Sequence, residues 1–318
     1  MAEKLPRIVA DTPLAPNVRK LLEGCGEILD WPAPDAAAPA CDAVYTYGHP
    51  RVDGAFLDRL PGVRVVSNFG VGVDHIDVAA AAARGIPVGN TPGVLDGATA
   101  DMAFALLLAA GRRLGEGDRY ARGPDFLRYD PGYMLGREIH SSTLGIVGLG
   151  RIGAQVARRA RGFDMKVLYH NRNRRPEVES ELGARYVPFS ELLAEADYIV
   201  LTCPLTPETT GLIGRDAFAR MKPTAILVNV ARGPVVDMTA LTEALSSRRI
   251  YAAALDVTDP EPLPRNHPLL KLDNLTVTPH LGSATEQTRQ RMAEISVENL
   301  LLGLAGNPLK HPVVPKPA

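Results

Sequence analysis

Cysteine is scarce in this 318-residue chain: Cys25, Cys41 and Cys203 are three, an odd number, and far apart. That excludes a disulfide framework or a Cys-based zinc site as the organising device, and no metal is expected. Long apolar runs are missing too; nothing approaches the roughly 18 apolar residues of a membrane span. Met1-Ala2-Glu3-Lys4-Leu5-Pro6 leads into a short apolar run, not the long one of a secretory signal. The closing Lys316-Pro317-Ala318 is not a peroxisomal address. Nor is there charge of one sign: 35 basic and 36 acidic residues leave a net −1, whereas nucleic acid or an anionic membrane calls for a positive excess. The expectation is a cytoplasmic protein with neither nucleic acid nor membrane as partner.

What is present is an alternation of short β-branched or apolar runs with Ala/Leu/Arg-rich segments, the pattern of α/β structure on parallel sheets. The length favours two domains. In the first part the strands fall at Arg7–Ala10, Ala43–Tyr45, Val63–Ser67 and Pro87–Gly89, with helices near Val18–Leu22, Gly54–Leu60 and Val78–Arg84. Pro32–Pro39 reads as a loop, and Gly97–Arg113 as a helix long enough to link two domains, followed by a polar stretch through Gly136. A second series of strands runs Thr143–Val147, Met165–Tyr169, Ala184–Val187, Tyr198–Thr202, Ala225–Val230, Tyr251–Leu255 and Leu275–Thr278. The last helix, Ala284–Leu304, could return the chain to the first domain. The division expected is 1–98 with 286–318, and 99–285.

Gly148-Leu149-Gly150-Arg151-Ile152-Gly153 follows the apolar strand Thr143–Val147 and precedes the helical run Ala154–Arg161. The pattern alone is weak, but this context is the one a dinucleotide pyrophosphate needs. Gly148 permits a tight turn, Gly150 lets the backbone approach the phosphates, and Gly153 lets helix and strand pack closely. The helix N-terminus then offers N–H groups and a positive dipole end to the anion. An acidic residue after the next strand would bind a ribose 2′-hydroxyl and repel a 2′-phosphate. The chain there reads Tyr169-His170-Asn171-Arg172-Asn173-Arg174-Arg175, with no carboxylate and three arginines. Guanidinium groups suit a phosphate, so the expected cofactor is NADPH; the bland alternative is a solvated basic loop.

Three apolar strands of the second series end in groups that could carry chemistry, and ligands collect at such carboxyl ends. Arg232 follows Ala225–Val230, Glu261 lies between Pro260 and Pro262 after Tyr251–Leu255, and His280 follows Leu275–Thr278. A lone loop arginine is most often a surface charge, and a lone histidine most often structural. Among seven histidines, only His280 follows a strand of this series and leads through small residues into a helix; His170 lies on the adenosine side. A carboxylate beside an imidazole favours its protonated form, so pairing with Glu261 would keep His280 a competent acid.

On these residues the sequence resembles the D-isomer-specific 2-hydroxyacid dehydrogenase family. The matching words are Val71-Gly72-Val73-Asp74, Gly148 to Gly153, Asn229-Val230-Ala231-Arg232-Gly233, Leu255-Asp256-Val257 with Glu261-Pro262, and Pro279-His280-Leu281-Gly282-Ser283-Ala284-Thr285. The stretch from Leu255 to Pro264 is most similar to glyoxylate/hydroxypyruvate reductases.

The resemblance implies a Rossmann-type doubly wound parallel-sheet dinucleotide domain and a smaller flavodoxin-like α/β substrate domain. It implies that Arg232 binds and polarises the substrate, that His280 is the acid/base and that Glu261 tunes it. The backbone at Val71 and Gly72 would hold the substrate carboxylate, with Ser283 nearby. Gly150, Arg151 and Ile152 would touch the pyrophosphate, and Arg172, Asn173, Arg174 and Arg175 the 2′-phosphate. Thr99, Pro204, Val230, Asp256 and Gly282 would line the cofactor, with Asp256 near the nicotinamide amide. A homodimer through the dinucleotide domain is implied as well.

Where many members carry W-x-x-W-x-P, this chain reads Phe126-Leu127-Arg128-Tyr129-Asp130-Pro131, so the resemblance leaves side-chain preference open. Expected is NADPH-dependent reduction of glyoxylate and hydroxypyruvate to glycolate and D-glycerate. The alternatives are a reductase of pyruvate, phenylpyruvate or a branched analogue, and a cofactor-sensing protein of the corepressor kind.

Overall fold

The computed structural model describes residues 5–11, 13–33 and 39–315. Most of the Pro32–Pro39 loop, the first four residues and the terminal tripeptide lie outside them. The chain divides into two compact units: one runs to Leu95 and resumes at Thr285, and the other is Asp96–Ala284.

The first unit opens with strand β1 (Arg7–Ala10), helix α1 (Pro16–Leu22), β2 (Glu27–Asp30), β3 (Ala43–Thr46), α2 (Gly54–Asp58), β4 (Val65–Asn68), α3 (Val78–Ala83) and β5 (Val88–Gly89). Its helices start where local chemistry provides a cap. Pro16 opens α1, the Asp53 carboxylate accepts from the Phe56 amide, and Asp77 accepts from Ala80. The five strands are all parallel, in the order β2-β1-β3-β4-β5. This is the flavodoxin-like doubly wound order, whose reversal between β1 and β3 opens a crevice at the strands' carboxyl ends. The edge strand β2 was not expected. Three of its four residues are exposed, so it carries none of the apolar signal that marks its neighbours.

The second unit begins with α4 (Asp96–Gly111) and α5 (Leu114–Arg122). It continues β6 (Thr143–Val147), α6 (Arg151–Ala160), β7 (Lys166–His170), α7 (Pro176–Leu182), β8 (Arg185–Tyr186), α8 (Phe189–Glu195), β9 (Tyr198–Leu201), α9 (Arg215–Arg220), β10 (Ile226–Asn229), α10 (Met238–Ser246), β11 (Ala252–Leu255) and β12 (Leu275–Val277). The seven parallel strands lie in the order β12-β11-β10-β9-β6-β7-β8, the Rossmann arrangement with one strand added, its switch point between β6 and β9. Both faces are covered, so the central strands are apolar throughout. Ile199 and Leu201 pack with Leu227, Phe218 and Leu241 on one side. Tyr198 and Val200 pack with Ile146, Val228 and Leu107 on the other. Helix α5 replaces the irregular stretch expected after Gly111. None of its residues is buried, and i,i+4 pairing of Asp118 with Arg122 supports an otherwise polar turn sequence.

A final helix, α11 (Glu286–Leu304), is capped by the Thr285 hydroxyl and belongs to the first unit. It lies against β4: Gly303 sits so close that a methyl there would fall 2.5 Å from the Val65 side chain. Ser296 ties it to the sheet, through Tyr45 Oη at 2.7 Å and by accepting the Ser67 hydroxyl on its carbonyl at 2.6 Å. No helix among the described residues is long and apolar enough to cross a membrane.

Candidate active site

The glycines at the β6–α6 junction each meet a different demand. Gly148 has φ 102°, and a Cβ there would lie 2.5 Å from the Cys203 amide; only glycine fits a left-handed turn pressed against the next loop. A Cβ on Gly153 would fall 2.3 Å from the Gly148 carbonyl oxygen, so helix and strand could not approach as they do. At Gly150 a Cβ meets nothing within 4 Å. That is open space directly before the first turn of α6, whose N-cap carries no side-chain cap. The N–H groups of the first turn of α6, with room above them, fit the pyrophosphate of a dinucleotide. Beneath it lies Cys203, whose thiol burial pushes up to about 11, so it is a neutral apolar wall. Thr202 donates its hydroxyl to the Gly148 carbonyl at 2.7 Å, and Asn171 accepts the Leu149 amide at 2.6 Å.

The basic loop after β7 is built, not merely solvated. Arg172 and Asn173 are exposed. Arg174 donates from Nε and Nη2 to the two carboxylate oxygens of Glu179, each at 2.7 Å. Arg175 pairs with Glu177. Tyr169, buried on β7, donates to Glu179 Oε1 at 2.6 Å and accepts the Arg175 amide at 2.8 Å. Bonds from Arg174 and then Tyr169 hold the Glu179 carboxyl down at about 2. Pro204 is exposed after β9, and Val230 is buried at the end of β10.

Three loops at the carboxyl ends of β10, β11 and β12 carry Arg232, Glu261 and His280. The Arg232 loop is fixed by buried Asn229, which accepts the Ala231 amide at 3.0 Å and donates to the Arg232 carbonyl at 2.9 Å. His280 Nδ1 donates to Glu261 Oε1 at 2.7 Å, with the two side chains 31% and 39% exposed. That bond fixes the orientation of the imidazole ring through Nδ1. His280 takes a left-handed backbone (φ 56°), which a non-glycine residue holds only when its surroundings impose it.

Asp256 imposes it. Its carbonyl accepts the His280 amide at 2.9 Å. Its buried carboxylate accepts the Thr278 hydroxyl and the Leu281 amide on Oδ1 and the Gly282 amide on Oδ2, all at 2.7 Å. Thr99 stands by the same turn: a Cβ on Gly282 would lie 3.1 Å from Asp256 Oδ2 and 3.4 Å from Thr99 Cγ2. Ser283 follows, half-buried.

Val71 and Gly72 lie in the first unit, on the loop after β4. Its carbonyls are taken by side-chain donors: Thr91 on Phe69, Asn68 on Gly70 and Gly72, and Asn90 on Val71, at 2.8–3.0 Å. What remains for a ligand is main-chain N–H, the chemistry of an anion nest.

The second unit thus brings together Glu261 with His280, and Asp256 with Thr99 and Gly282. Sequence reasoning missed Asn68, Asn90 and Asn229, and the hold of Asp256 on the His280 turn. The one signal available was an Asn or Asp ending an apolar strand next to each functional loop. Among the described residues no group of three His, Cys, Asp or Glu side chains could hold a metal ion.

Comparison with known proteins agrees with this fold. A family model described as "D-isomer specific 2-hydroxyacid dehydrogenase, NAD binding domain" matches residues 104–282. A glyoxylate reductase of Korarchaeum cryptofilum is 51% identical over 262 residues, 82% of this chain and 79% of that protein. A solved structure from Thermus thermophilus has a TM-score of 0.88 at 44% identity, covering 97% of this chain and 100% of that one. An NADPH-dependent glyoxylate/hydroxypyruvate reductase of Sinorhizobium meliloti, solved with NADP and malonate, has a TM-score of 0.88 at 32% identity, covering 97% of this chain and 96% of that one.

Proposed function

This chain belongs to the D-isomer-specific 2-hydroxyacid dehydrogenase family, and from that premise we propose that it reduces glyoxylate and hydroxypyruvate to glycolate and D-glycerate with NADPH. It is an oxidoreductase with a nicotinamide-dinucleotide domain, of a family that works on small 2-keto and 2-hydroxy acids. The observation that carries the reductase chemistry is the His280–Glu261 pair at 2.7 Å, held at the carboxyl end of the same sheet whose β6–α6 turn fits a pyrophosphate.

When bound, the nicotinamide supplies the hydride. Arg232 opposes the negative charge of the substrate and polarises its carbonyl. His280 gives the proton on Nε2 to the oxygen as charge develops there, while Glu261 on Nδ1 fixes the ring and offsets the imidazolium charge. The main-chain amides of Val71 and Gly72 hold the substrate carboxylate, a role carried over by resemblance. Arg151 and Ile152 open α6 toward the pyrophosphate, and Arg172, Asn173, Arg174 and Arg175 suit the 2′-phosphate. Thr99, Pro204, Val230, Asp256 and Gly282 line the cofactor. A homodimer through the second unit is supported by the segment after α5, where Leu127, Tyr129 and Leu135 are 87%, 81% and 69% exposed; large apolar side chains gathered at the surface in one segment suit an interface.

The test is a steady-state panel of both cofactors against glyoxylate, hydroxypyruvate, pyruvate, phenylpyruvate and a branched 2-keto acid. Fastest kcat/KM on the two small substrates with NADPH is expected. A tenfold preference for NADH would overturn the cofactor reading. A larger keto acid ranking first would move the substrate, and no turnover on any would favour a cofactor-sensing role.

A further inference from the structure

We propose that Glu179 is a positioning residue for cofactor discrimination, aiming the Arg174 guanidinium at the 2′-phosphate of NADPH. The proposal rests on the reading of the 172–175 loop as the 2′-phosphate site.

An arginine on a loop is a weak recognition element while its side chain is free to wander, because ordering it costs rotamer entropy at the moment of binding. Here the ordering is already done. The Glu179 carboxylate grips the Nε/Nη2 edge of Arg174 in a two-point fork. A guanidinium carries five N–H donors in a fixed plane, and this grip uses two of them. The three left, two on Nη1 and one on Nη2, point away from Glu179 as a second fork, and a phosphate accepts such a fork bidentately. Glu179 itself is only 13% exposed, whereas Arg174 is 63% exposed. The carboxylate is therefore the mount and the guanidinium is the presented face.

The mount is anchored in the core of the second unit. Tyr169 has no exposed surface, and its hydroxyl bonds both Glu179 at 2.6 Å and the Arg175 amide at 2.8 Å. One buried phenol thus fixes the end of the arginine loop and the carboxylate that aims it. Glu179 lies in the first turn of α7, where the helix dipole favours a negative charge, so the carboxylate stays ionised without the cofactor.

Simple Coulomb reasoning predicts the opposite sign for this residue. Removing a negative charge beside an anion site should tighten binding of the anion. If Glu179 positions Arg174, removing that charge should weaken it. The two accounts are separated by Glu179→Gln, which keeps the shape and one acceptor oxygen but loses the charged fork.

The experiment uses the purified full chain, with KM and kcat for NADPH and NADH on glyoxylate, and binding of 2′,5′-ADP against 5′-AMP as a turnover-free probe. Parent, Arg174→Ala, Glu179→Gln, the double variant and Tyr169→Phe are compared, with melting curves to establish folding. Arg174→Ala tests the underlying reading: if it leaves the preference for 2′,5′-ADP unchanged, Arg174 is not a phosphate ligand and the proposal falls with it. If Arg174→Ala weakens that preference, Glu179→Gln is expected to raise the NADPH KM and the 2′,5′-ADP Kd roughly tenfold, with kcat within about twofold. Glu179→Gln should add nothing in the Arg174→Ala background, since residues acting through one another are non-additive. Tyr169→Phe should move the same constants in the same direction. With Arg174 confirmed, an unchanged or tighter 2′,5′-ADP Kd in Glu179→Gln, or an additive loss in the double variant, overturns the positioning role.

Discussion

A methyl group on Gly233 would fall 1.9 Å from the carbonyl oxygen of Thr258. The loop bearing Arg232 and the loop bearing Glu261 are therefore in main-chain contact, and the absence of a side chain at 233 is what lets two functional loops from adjacent strands close on each other. Gly233→Ala has no flexible neighbour to push aside, because the obstacle is backbone. The loops must separate, at about 1–3 kcal/mol by analogy with overpacked cores. We expect a lowered Tm together with a drop in kcat/KM of at least tenfold. A variant that melts normally and turns over normally would show that the contact does not set the spacing of Arg232 and Glu261.

Asp256→Asn changes almost no volume but replaces one acceptor oxygen with an NH2 group. The carboxylate now takes three donors, from Thr278, Leu281 and Gly282, and an amide oxygen has two lone pairs. At least one donor is left without its acceptor, a loss of about 1–3 kcal/mol for a buried group. Because those donors hold the left-handed turn at His280, kcat should fall more than the melting change alone explains. Thermal melts and kcat measured on the same preparations check this.

The acid side of the stability curve should carry the mark of Glu179. Its carboxyl is held at about 2, below the usual 4.5, by Arg174 and then Tyr169. Between those values the unfolded chain binds more protons than the folded one, so stability rises with pH there. The contribution is complete above the unfolded value and lost as pH falls toward 2. Glu179→Gln should therefore lose less Tm than the parent between pH 5 and pH 3. Parallel curves for the two proteins would contradict the cause assigned to the shift.

Much of this site was legible because its parts follow apolar strands. The β6–α6 glycines and His280 each sit where an apolar run breaks into a turn, and period and composition expose such places. The buried supports were not legible. Asn229, Asn68 and Asn90 act by bonding main-chain groups of neighbouring loops, and a side-chain-to-backbone bond leaves no period in the sequence. Glu179 was passed over for a related reason: read alone, Arg174 and Arg175 are free charges, and only the fold turns α7 back so that a carboxylate five residues on meets the first of them. Strand β2 and helix α5 escaped because they are mostly exposed, so neither shows the apolar face from which elements are read.

The proposed homodimer would cover the exposed apolar residues after α5. Leu127 at 87% exposure and Tyr129 at 81% fall in one segment with exposed Phe126, Tyr133 and Leu135. In a symmetric dimer each copy would bury this segment on the other. Sedimentation of the parent should give twice the chain mass, and Leu127→Asp with Tyr129→Asp should shift it toward the monomer. A parent that sediments as a monomer at micromolar concentration would remove the homodimer from the proposal.

His280→Ala takes away the proposed proton donor while leaving the β6–α6 turn and the arginine loop as they are. General acid catalysis by a placed side chain is worth about 10²–10⁴ in rate, and the loss should appear in kcat while the NADPH KM moves by less than about threefold. Glu261→Gln is a milder test of the same pair. The amide oxygen can still accept from Nδ1, so the ring keeps its direction, but the charge that offsets a protonated imidazole is gone. Its kcat should fall between those of the parent and His280→Ala, and combining the two changes should cost no more than His280→Ala alone, because Glu261 acts through the imidazole it holds. Near-parental turnover of His280→Ala on every 2-keto acid tested would place the proton donor elsewhere, and an additive loss in the double variant would give Glu261 a role independent of His280.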